Sequence, residues 1–245
     1  MSKYFKNIAL TLITLTLAVL ATFATANNYK IIFKNQIISD NFNAKSEESS
    51  GTQYIYSGGN DDKIKKIDEQ GNEIWSFNGH SQRVLGISVD KNGYIYSASS
   101  DRTVRKIDSN GNEIWSYNHP SAVNDTAVDS NGNVFSGSDD DIVRKIDKDG
   151  NEVWLFTGHS DFIRSLVTDS SNNVYSGSGD GTVRKIDSNG NEIWQFNGGT
   201  GKIRGLTIDK SNHIYSTSDS GVVIKIDDNG NEIWRNSDHN ARIWG

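Results

Sequence analysis

The sequence predicts an all-β fold, a five-bladed β-propeller built from four-stranded blades of about 40 residues each. Three observations predict it. The motif Gly-Asn-Glu-(Ile/Val)-Trp recurs at intervals of 40, 39, 40 and 40 residues, beginning at Gly71, Gly111, Gly150, Gly190 and Gly230. Each interval contains four short runs rich in β-branched and aromatic residues. The chain has one proline, and the runs lack the 3.6-residue period of helices.

The unit at residues 80–118 illustrates the four strands of one blade. Its runs are "RVLGISV", "YIYSA", "TVRKI" and "EIWSY", and the segments "DKNG", "SSD" and "DSNGN" separate them. Aspartate, asparagine, serine and glycine are typical of turns, so each separator predicts a tight connection. A single four-stranded unit cannot bury both of its faces. The blades are therefore expected to stack side by side around an axis.

The octet "DSNGNEIW" at 108–115 recurs with small changes in every unit, and it predicts a turn leading into the last strand. Aspartate at the first position and glycine at the fourth are typical of a type I turn whose glycine has a positive φ. The tryptophan is expected to pack between blades, worth about 2–3 kcal/mol by burial. Calcium is the alternative, because "DKDGNE" at 147–152 imitates the start of an EF-hand loop. Glu152 and Gly158 occupy the positions that need glycine and glutamate, so we expect no metal.

The two ends of the chain predict how the ring closes. The first unit has no obvious first strand, and "HNARIWG" at 239–245 aligns with the first-strand segment "HSQRVLG" at 80–86. We therefore expect the C-terminal strand to complete the N-terminal blade and close the ring. Closure would remove the exposed strand edges of an open array. The alternative is that the chain is a fragment of a longer propeller.

Three segments make up the predicted domain organisation. Residues 1–26 have Lys3 and Lys6, an apolar run and a terminal Ala-Thr-Ala, the pattern of a secretory signal peptide; an uncleaved anchor is the alternative. Residues 27–52 are expected to be an N-terminal extension and linker, with 29–38 as a strand docked on the outside of the ring. Residues 53–245 form the propeller. The expected location is secreted or periplasmic, with no membrane insertion after cleavage.

Composition argues against several classes of partner. The net charge is −6, and cleavage would remove two lysines and make it more negative, which disfavours nucleic acid and anionic membranes. Without cysteine there are no disulfides and no thiolate metal sites. Strand three carries a basic stripe, such as Arg105 and Lys106, but glutamates such as Glu113 on the adjacent strand can pair with it. We expect no cofactor and a monomer.

The unit at 158–187, "GHSDFIRSLVTDSSNNVYSGSGDGTVRKID", resembles a WD repeat, and the resemblance covers residues 53–245. It implies buried, structural His–Asp pairs drawn from His80, His119, His159 and His239 and from Asp61, Asp101, Asp140 and Asp180. Three features depart from that family. Ile107 stands where strand three should have tryptophan, Gly198-Gly199 replace the Gly-His pair of blade five, and Ser220 replaces its aspartate. The tryptophan has moved to the last strand, which resembles the pyrroloquinoline-quinone-type propeller repeat.

No catalytic motif appears, and we expect a protein without enzyme activity. One inner-strand position varies freely between blades: Leu85, Asn124, Arg164, Arg204 and Trp244. Arg164, Arg204 and Trp244 belong to consecutive blades of a closed ring, and together they would suit a carboxylate, a phosphate or a sugar ring. The alternative is solvated channel lining. The sequence favours a scaffold that binds a protein partner. A multivalent carbohydrate-binding lectin and a tunnel-site hydrolase are the other hypotheses.

Overall fold

A computed structural model describes residues 54–198, 201–239 and 243, together with the backbone of residues 30–33. These residues form twenty strands in five four-stranded antiparallel sheets, and the described part of the chain contains no helix. It therefore has no helical segment of the length and apolarity needed to cross a membrane. The predicted signal peptide at 1–26 lies outside the described residues, as does most of the predicted extension at 27–52.

The strands follow the chain in groups of four, one group to each sheet. Blade one contains β1 (Lys30–Phe33), β2 (Ile55–Gly58), β3 (Ile64–Ile67) and β4 (Glu73–Phe77). Blade two contains β5 (Val84–Val89), β6 (Ile95–Ser99), β7 (Thr103–Ile107) and β8 (Glu113–Asn118). Blade three contains β9 (Val123–Val128), β10 (Val134–Ser138), β11 (Val143–Ile146) and β12 (Glu152–Phe156). Blade four contains β13 (Ile163–Thr168), β14 (Val174–Ser178), β15 (Thr182–Ile186) and β16 (Glu192–Asn197). Blade five contains β17 (Ile203–Ile208), β18 (Ile214–Ser218), β19 (Val223–Ile226) and β20 (Glu232–Asn236).

Burial changes systematically from the first strand of a blade to the fourth. The first strands β5, β9, β13 and β17 contact one another in sequence, so they form the inner row. The second strands β6, β10 and β14 are buried along their whole length, because neighbouring blades cover both faces. The fourth strands are outermost, and β8 begins with two exposed residues. The predicted four-stranded, stacked arrangement is confirmed for all five sheets.

The repeated octet forms the predicted turn. In the copy at 108–115, the Gly111 N–H donates to the Asp108 carbonyl at 3.1 Å, and Gly111 has a φ of 90°. The Asp108 carboxylate accepts the backbone N–H groups of Asn110 and Asn112, both at 2.8 Å. Hydrogen bonds from Asn112 lower the pKa of this carboxyl group. The aspartate is therefore occupied by its own loop.

The same octet also joins each blade to the next. Trp154 of blade three donates its indole N–H to the carbonyl of Ser188 in the blade-four turn, at 3.1 Å. Lys145 donates its ammonium to the same carbonyl at 2.8 Å, and its Nζ lies 5.5 Å from the centre of the Phe135 ring. The Trp154 ring covers Gly190, where an added Cβ would stand 3.0 Å from the indole. We call this contact the inter-blade latch.

Four junctions contain the latch. The indole N–H and the lysine of one blade meet the turn carbonyl of the next in each of these sets: Trp75, Lys66 and Ser109; Trp115, Lys106 and Lys148; Trp154, Lys145 and Ser188; Trp194, Lys185 and Asp228. The expectation that the repeated tryptophans pack between blades is confirmed at these junctions. Two properties of glycine are required at this turn position: it adopts a positive φ, and it has no Cβ to clash with the tryptophan ring.

The fifth tryptophan differs from the other four. Trp234 of blade five is 42% exposed, and within the described ranges its indole N–H has no latch partner. Among the described residues, no atom lies within 4 Å of the position where a Cβ on Gly71, the turn glycine of blade one, would stand. In this part of the chain, blade five and blade one are therefore not joined by a latch.

The first strand of blade one comes from the N-terminal side of the chain. β1 pairs with β2 in antiparallel register, Lys30 opposite Gly58 and Phe33 opposite Ile55. The expectation that 239–245 fills this position is not met, and the expectation that the 29–38 segment docks on the outside is wrong for residues 30–33. The edge of β2 offers backbone groups that any extended segment can pair with, which explains why sequence matching did not identify the occupant.

Little of the C-terminal segment is described, namely His239 and Ile243. The Ile243 N–H donates to the Ser218 carbonyl at 3.3 Å, as the Val84 N–H donates to the Gly59 carbonyl at 3.1 Å. Val84 begins the first strand of blade two, and Gly59 directly follows the second strand of blade one. Ile243 thus stands against blade five where the first strand of a following blade would begin.

Substitutions of Trp154 test the latch. Trp154→Phe removes the N–H donor and should cost about 1 kcal/mol of unfolding free energy, the net value of one hydrogen bond. Trp154→Ala also removes the ring and should cost about 3 kcal/mol. Chemical denaturation measures both. Leu155→Ala is the control. The Leu155 side chain is next to Trp154 in the sequence and is 46% exposed, so its removal should change the unfolding free energy by less than about 0.5 kcal/mol. Equal costs for Trp154→Ala and Leu155→Ala would contradict the latch.

Candidate functional site

Buried histidines connect the strands of blades two and four. His80 is hydrogen bonded to Asp101 through Nδ1 and to Ser97 through Nε2, both at 2.8 Å. His159 makes the equivalent bonds to Asp180 and Ser176 at 2.8 Å. Burial tends to raise the pKa of Asp101, but hydrogen bonds from Thr103 and His80 outweigh it and hold the value at about 2. Both ring nitrogens of each histidine form hydrogen bonds within the blade, which is the arrangement of a structural histidine.

In blade three the histidine and the aspartate are connected through an arginine. His119 and Asp140 do not bond to each other directly; Arg144 lies between them. Its guanidinium donates to both Asp140 oxygens, at 2.6 and 3.0 Å, and its Nη1 lies 3.3 Å from His119 Nδ1. Ile142 stands where blades two and four have the threonine hydroxyls of Thr103 and Thr182. Without that hydroxyl donor, Asp140 Oδ1 accepts the Arg144 guanidinium instead. The predicted His119–Asp140 pair is thus corrected to an arginine-mediated one.

The fourth predicted pair is not formed. His239 and Asp61 are both exposed, and the described contacts of Asp61 are with its own loop, where it accepts the Lys63 N–H at 3.4 Å. The physical reason is the position of the chain end: Ile243 lies against blade five, whereas Asp61 belongs to blade one. The pairing His239–Asp61 is corrected accordingly.

The basic stripe of strand three is largely neutralised by the adjacent strand. Cross-strand ion pairs join Lys65 to Glu73 at 2.8 Å, Arg105 to Glu113 at 2.6 Å and Arg184 to Glu192 at 2.5 Å. The second basic residue of the stripe in blades one to four is the latch lysine. The stripe is therefore used within the sheets and does not form a continuous basic surface.

The unrepeated polar residues gather at one end of the inner strands. Arg164, the second residue of β13, donates Nη1 to Asn124 Oδ1 at 3.1 Å. Asn124, at the same position in β9, is buried and donates its amide to Asp139 Oδ1 at 2.7 Å and to the Ile163 carbonyl at 2.9 Å. Because both amide hydrogens are used, the Asn124 oxygen must face Arg164. We call this end of blades three to five the channel mouth.

Arg204 and Lys202 extend the channel mouth onto blade five. Arg204 donates to Asp219 at 2.9 Å, and Lys202 donates to Asp161 at 2.6 Å. Both cations lie by the ring of Phe162, with Arg204 at 5.6 Å and Lys202 at 4.6 Å from its centre. Arg164 lies 5.8 Å from the same centre. One phenyl ring thus has three cations around it.

The structure brings together two of the three residues predicted for a binding pocket. Arg164 and Arg204 share the Phe162 ring, while Trp244 lies outside the described residues. The sequence reasoning missed Phe162, Lys202 and Asp219. A signal was present, because these loop positions also change between blades: Phe162 and Lys202 stand where blades two and three have Arg83 and Ala122.

The described turn aspartates are not clustered with other possible metal ligands. Within the described ranges, no cluster of three or more histidine, aspartate or glutamate side chains has the arrangement of a metal site. In the turn that follows a first strand, the aspartate carboxylate also accepts hydrogen bonds from its own turn. Asp90, for example, accepts the N–H groups of Asn92 and Tyr94 at 2.9 and 3.0 Å.

Comparison with protein families shows which family the chain matches. A family model described as outer membrane protein assembly factor BamB matches residues 60–178 and 179–241, which is more than half of the chain. No curated protein matches the chain.

The buried His119 predicts a loss of stability in weak acid. Burial and the Arg144 charge lower the pKa of His119 to about 3, from an ordinary value of 6.5. Between these values the unfolded chain binds the proton and the folded chain does not, so stability falls as pH falls from 6.5. The cost should reach about 2 kcal/mol at pH 5. His119→Asn should flatten this pH dependence in urea denaturation, whereas the exposed-site control Ser116→Ala should retain it. An unchanged slope in His119→Asn would contradict the prediction.

Proposed function

The chain belongs to the family described as outer membrane protein assembly factor BamB, and from that premise we propose that it is an exported, non-catalytic β-propeller scaffold that binds a partner protein. The family description names a factor in protein assembly, which supports a role in holding other proteins. It also names the outer membrane, which supports export; the signal-peptide pattern at 1–26 agrees with it.

One observation carries this proposal: the repeated polar groups of the described blades are used inside the fold. The octet aspartates bind their own turns, the tryptophans and lysines form the latches, and the His–Asp groups connect strands. Catalysis needs groups that converge on a substrate rather than on their own scaffold. The residues of the channel mouth differ from blade to blade, so they form a single unique site. A unique site suits recognition of one partner.

Two other functions make different demands on the same fold. A multivalent lectin would bind one sugar at each blade, through residues that repeat. A tunnel-site hydrolase would need a free acid and base, whereas Asp219 and Asp161 at the channel mouth are ion-paired with Arg204 and Lys202. Both are kept as outcomes of the experiment below.

We further propose that the blades close into a ring, blade five against blade one. The chain contains the parts of a fifth latch: Trp234 and Lys225 on blade five and the turn at Gly71 on blade one. Such a ring would protect the tryptophan that is now exposed.

Two glycines test ring closure. Gly71 and Gly190 have similar positive φ values, 87° and 91°, so alanine at either position carries the same backbone strain. Gly190→Ala adds a clash with Trp154. In a closed ring Trp234 covers Gly71, and the two substitutions should cost the same unfolding free energy. If Gly71→Ala is milder by about 1 kcal/mol or more, the ring is open at this junction.

The scaffold proposal is tested by photo-crosslinking in the exporting cell. A photoreactive residue replaces exposed Arg83, which directly precedes the inner strand β5, or Ile193, which is 51% exposed on an outer strand. We expect Arg83 to give one saturable protein adduct that Ile193 does not give. The identified partner, once purified, should bind the chain one to one. A chain that binds no protein, and binds a glycan with a stoichiometry near five, would replace the scaffold with the lectin. Turnover of a bound glycan would favour the hydrolase.

A further inference from the structure

Arg164 is held in place without a carboxylate partner. Its one hydrogen bond among the described residues goes to the neutral oxygen of Asn124, at 3.1 Å. A guanidinium has five N–H donors in a rigid fork, and it is usually matched to a carboxylate or a phosphate. Arg204 differs, because it forms an ion pair with Asp219. Arg164 thus offers donors that the described protein groups do not use.

The position of Arg164 is fixed before any ligand arrives. Asn124 is 6% exposed, and its two amide hydrogens are bound to Asp139 and to the Ile163 carbonyl. The Asn124 oxygen therefore cannot turn away from Arg164. The Phe162 ring lies beside the guanidinium. A side chain held in this way loses little conformational entropy on binding, which favours affinity.

The surroundings of Arg164 favour an anion. Burial lowers the pKa of Arg164, and the charges of Arg204 and Arg83 lower it further. Asp139 and Asp125 oppose this shift, but one Asp139 oxygen accepts Asn124, and an Asp125 oxygen accepts the Leu166 N–H at 3.0 Å. An anion placed on the free side of the Arg164 guanidinium would offset both the burial and the neighbouring positive charges.

The charge balance selects the kind of anion. The charged residues that act on Arg164 include both signs: the cations Arg204 and Arg83 and the carboxylates Asp139 and Asp125. Because these charges of opposite sign offset each other, the surroundings do not favour a doubly charged phosphate over a singly charged group. A planar carboxylate also matches the guanidinium fork.

From this geometry we propose that Arg164 binds a carboxylate of the partner protein, either its chain terminus or an acidic side chain, with Phe162 as the apolar wall beside it. The proposal rests on the scaffold function and names the chemistry of the partner at the channel mouth. The Lys202–Asp161 pair at the rim, with side chains 42% and 34% exposed, borders the site on the blade-five side.

The probe for this site is acetyl-alanine, compared with acetyl-alanine amide and inorganic phosphate. The full chain is titrated with each, and the Arg164 side-chain N–H resonance is followed by NMR. We expect saturable shifts in the millimolar range with the carboxylate and at least tenfold weaker effects with the amide. Arg164→Gln should weaken carboxylate binding at least tenfold, as judged from the neighbouring Asn124 amide resonances. Arg184→Gln is the matched control: Arg184 pairs with Glu192 away from the channel mouth, and binding should be unchanged.

Four results would overturn the proposal. Equal binding of acetyl-alanine and its amide would show that the carboxylate is not the recognised group. Tighter binding of phosphate would show that the site prefers a phosphate. If Arg164→Gln binds acetyl-alanine as the unmodified chain does, and thermal unfolding shows that the variant is folded, Arg164 is not the binding residue. If the crosslinked partner still binds Arg164→Gln with unchanged affinity, this site is wrong and the scaffold stands. If no partner is crosslinked at all but acetyl-alanine binds through Arg164, the scaffold fails and the site stands as a small-carboxylate site.

Discussion

The contact between a tryptophan of one blade and the turn glycine of the next is the interaction on which the structure depends. A four-stranded blade buries its faces only against its neighbours, so the junctions determine whether the array is stable. Each latch combines a buried lysine, an indole donor and a carbonyl that accepts both, as at Ser188. The carbonyl belongs to a turn fixed by its own aspartate. The same octet therefore serves both the turn and the packing between blades, which explains why its aspartate, glycine and tryptophan recur together.

Much of the fold could be predicted from the sequence, because the period, the turn residues and the tryptophans all point to the same arrangement. The origin of the first strand of blade one could not. Lys30–Phe33 forms this strand, although the sequence at 239–245 matches the first-strand segment of blade two, and backbone hydrogen bonds do not discriminate between such sequences. The Arg144 arrangement was also missed, since replacing a threonine by Ile142 changes hydrogen bonding without disturbing the strand pattern.

The candidate site follows from the same symmetry. Residues that serve the architecture must repeat, so residues at equivalent positions that differ are free to serve recognition. That reasoning identified Arg164 and Arg204 from sequence alone, but not Phe162 or the acids that pair with the cations. Those belong to loops, where the repeat is less regular and where spatial neighbours come from different blades. The Asn124 contact that orients Arg164 crosses from blade three to blade four, and only the stacked structure brings the two together.

The most direct measurement of the latch is hydrogen exchange at the tryptophan indole N–H groups, followed by NMR in the intact chain. The resonances of Trp75, Trp115, Trp154 and Trp194 can be assigned by single Trp→Phe variants. We predict that all four exchange slowly, at a rate limited by opening of the blades, because each N–H is bonded to a carbonyl of the next blade. Exchange as fast as that of a solvent-exposed indole at these four positions would contradict the account.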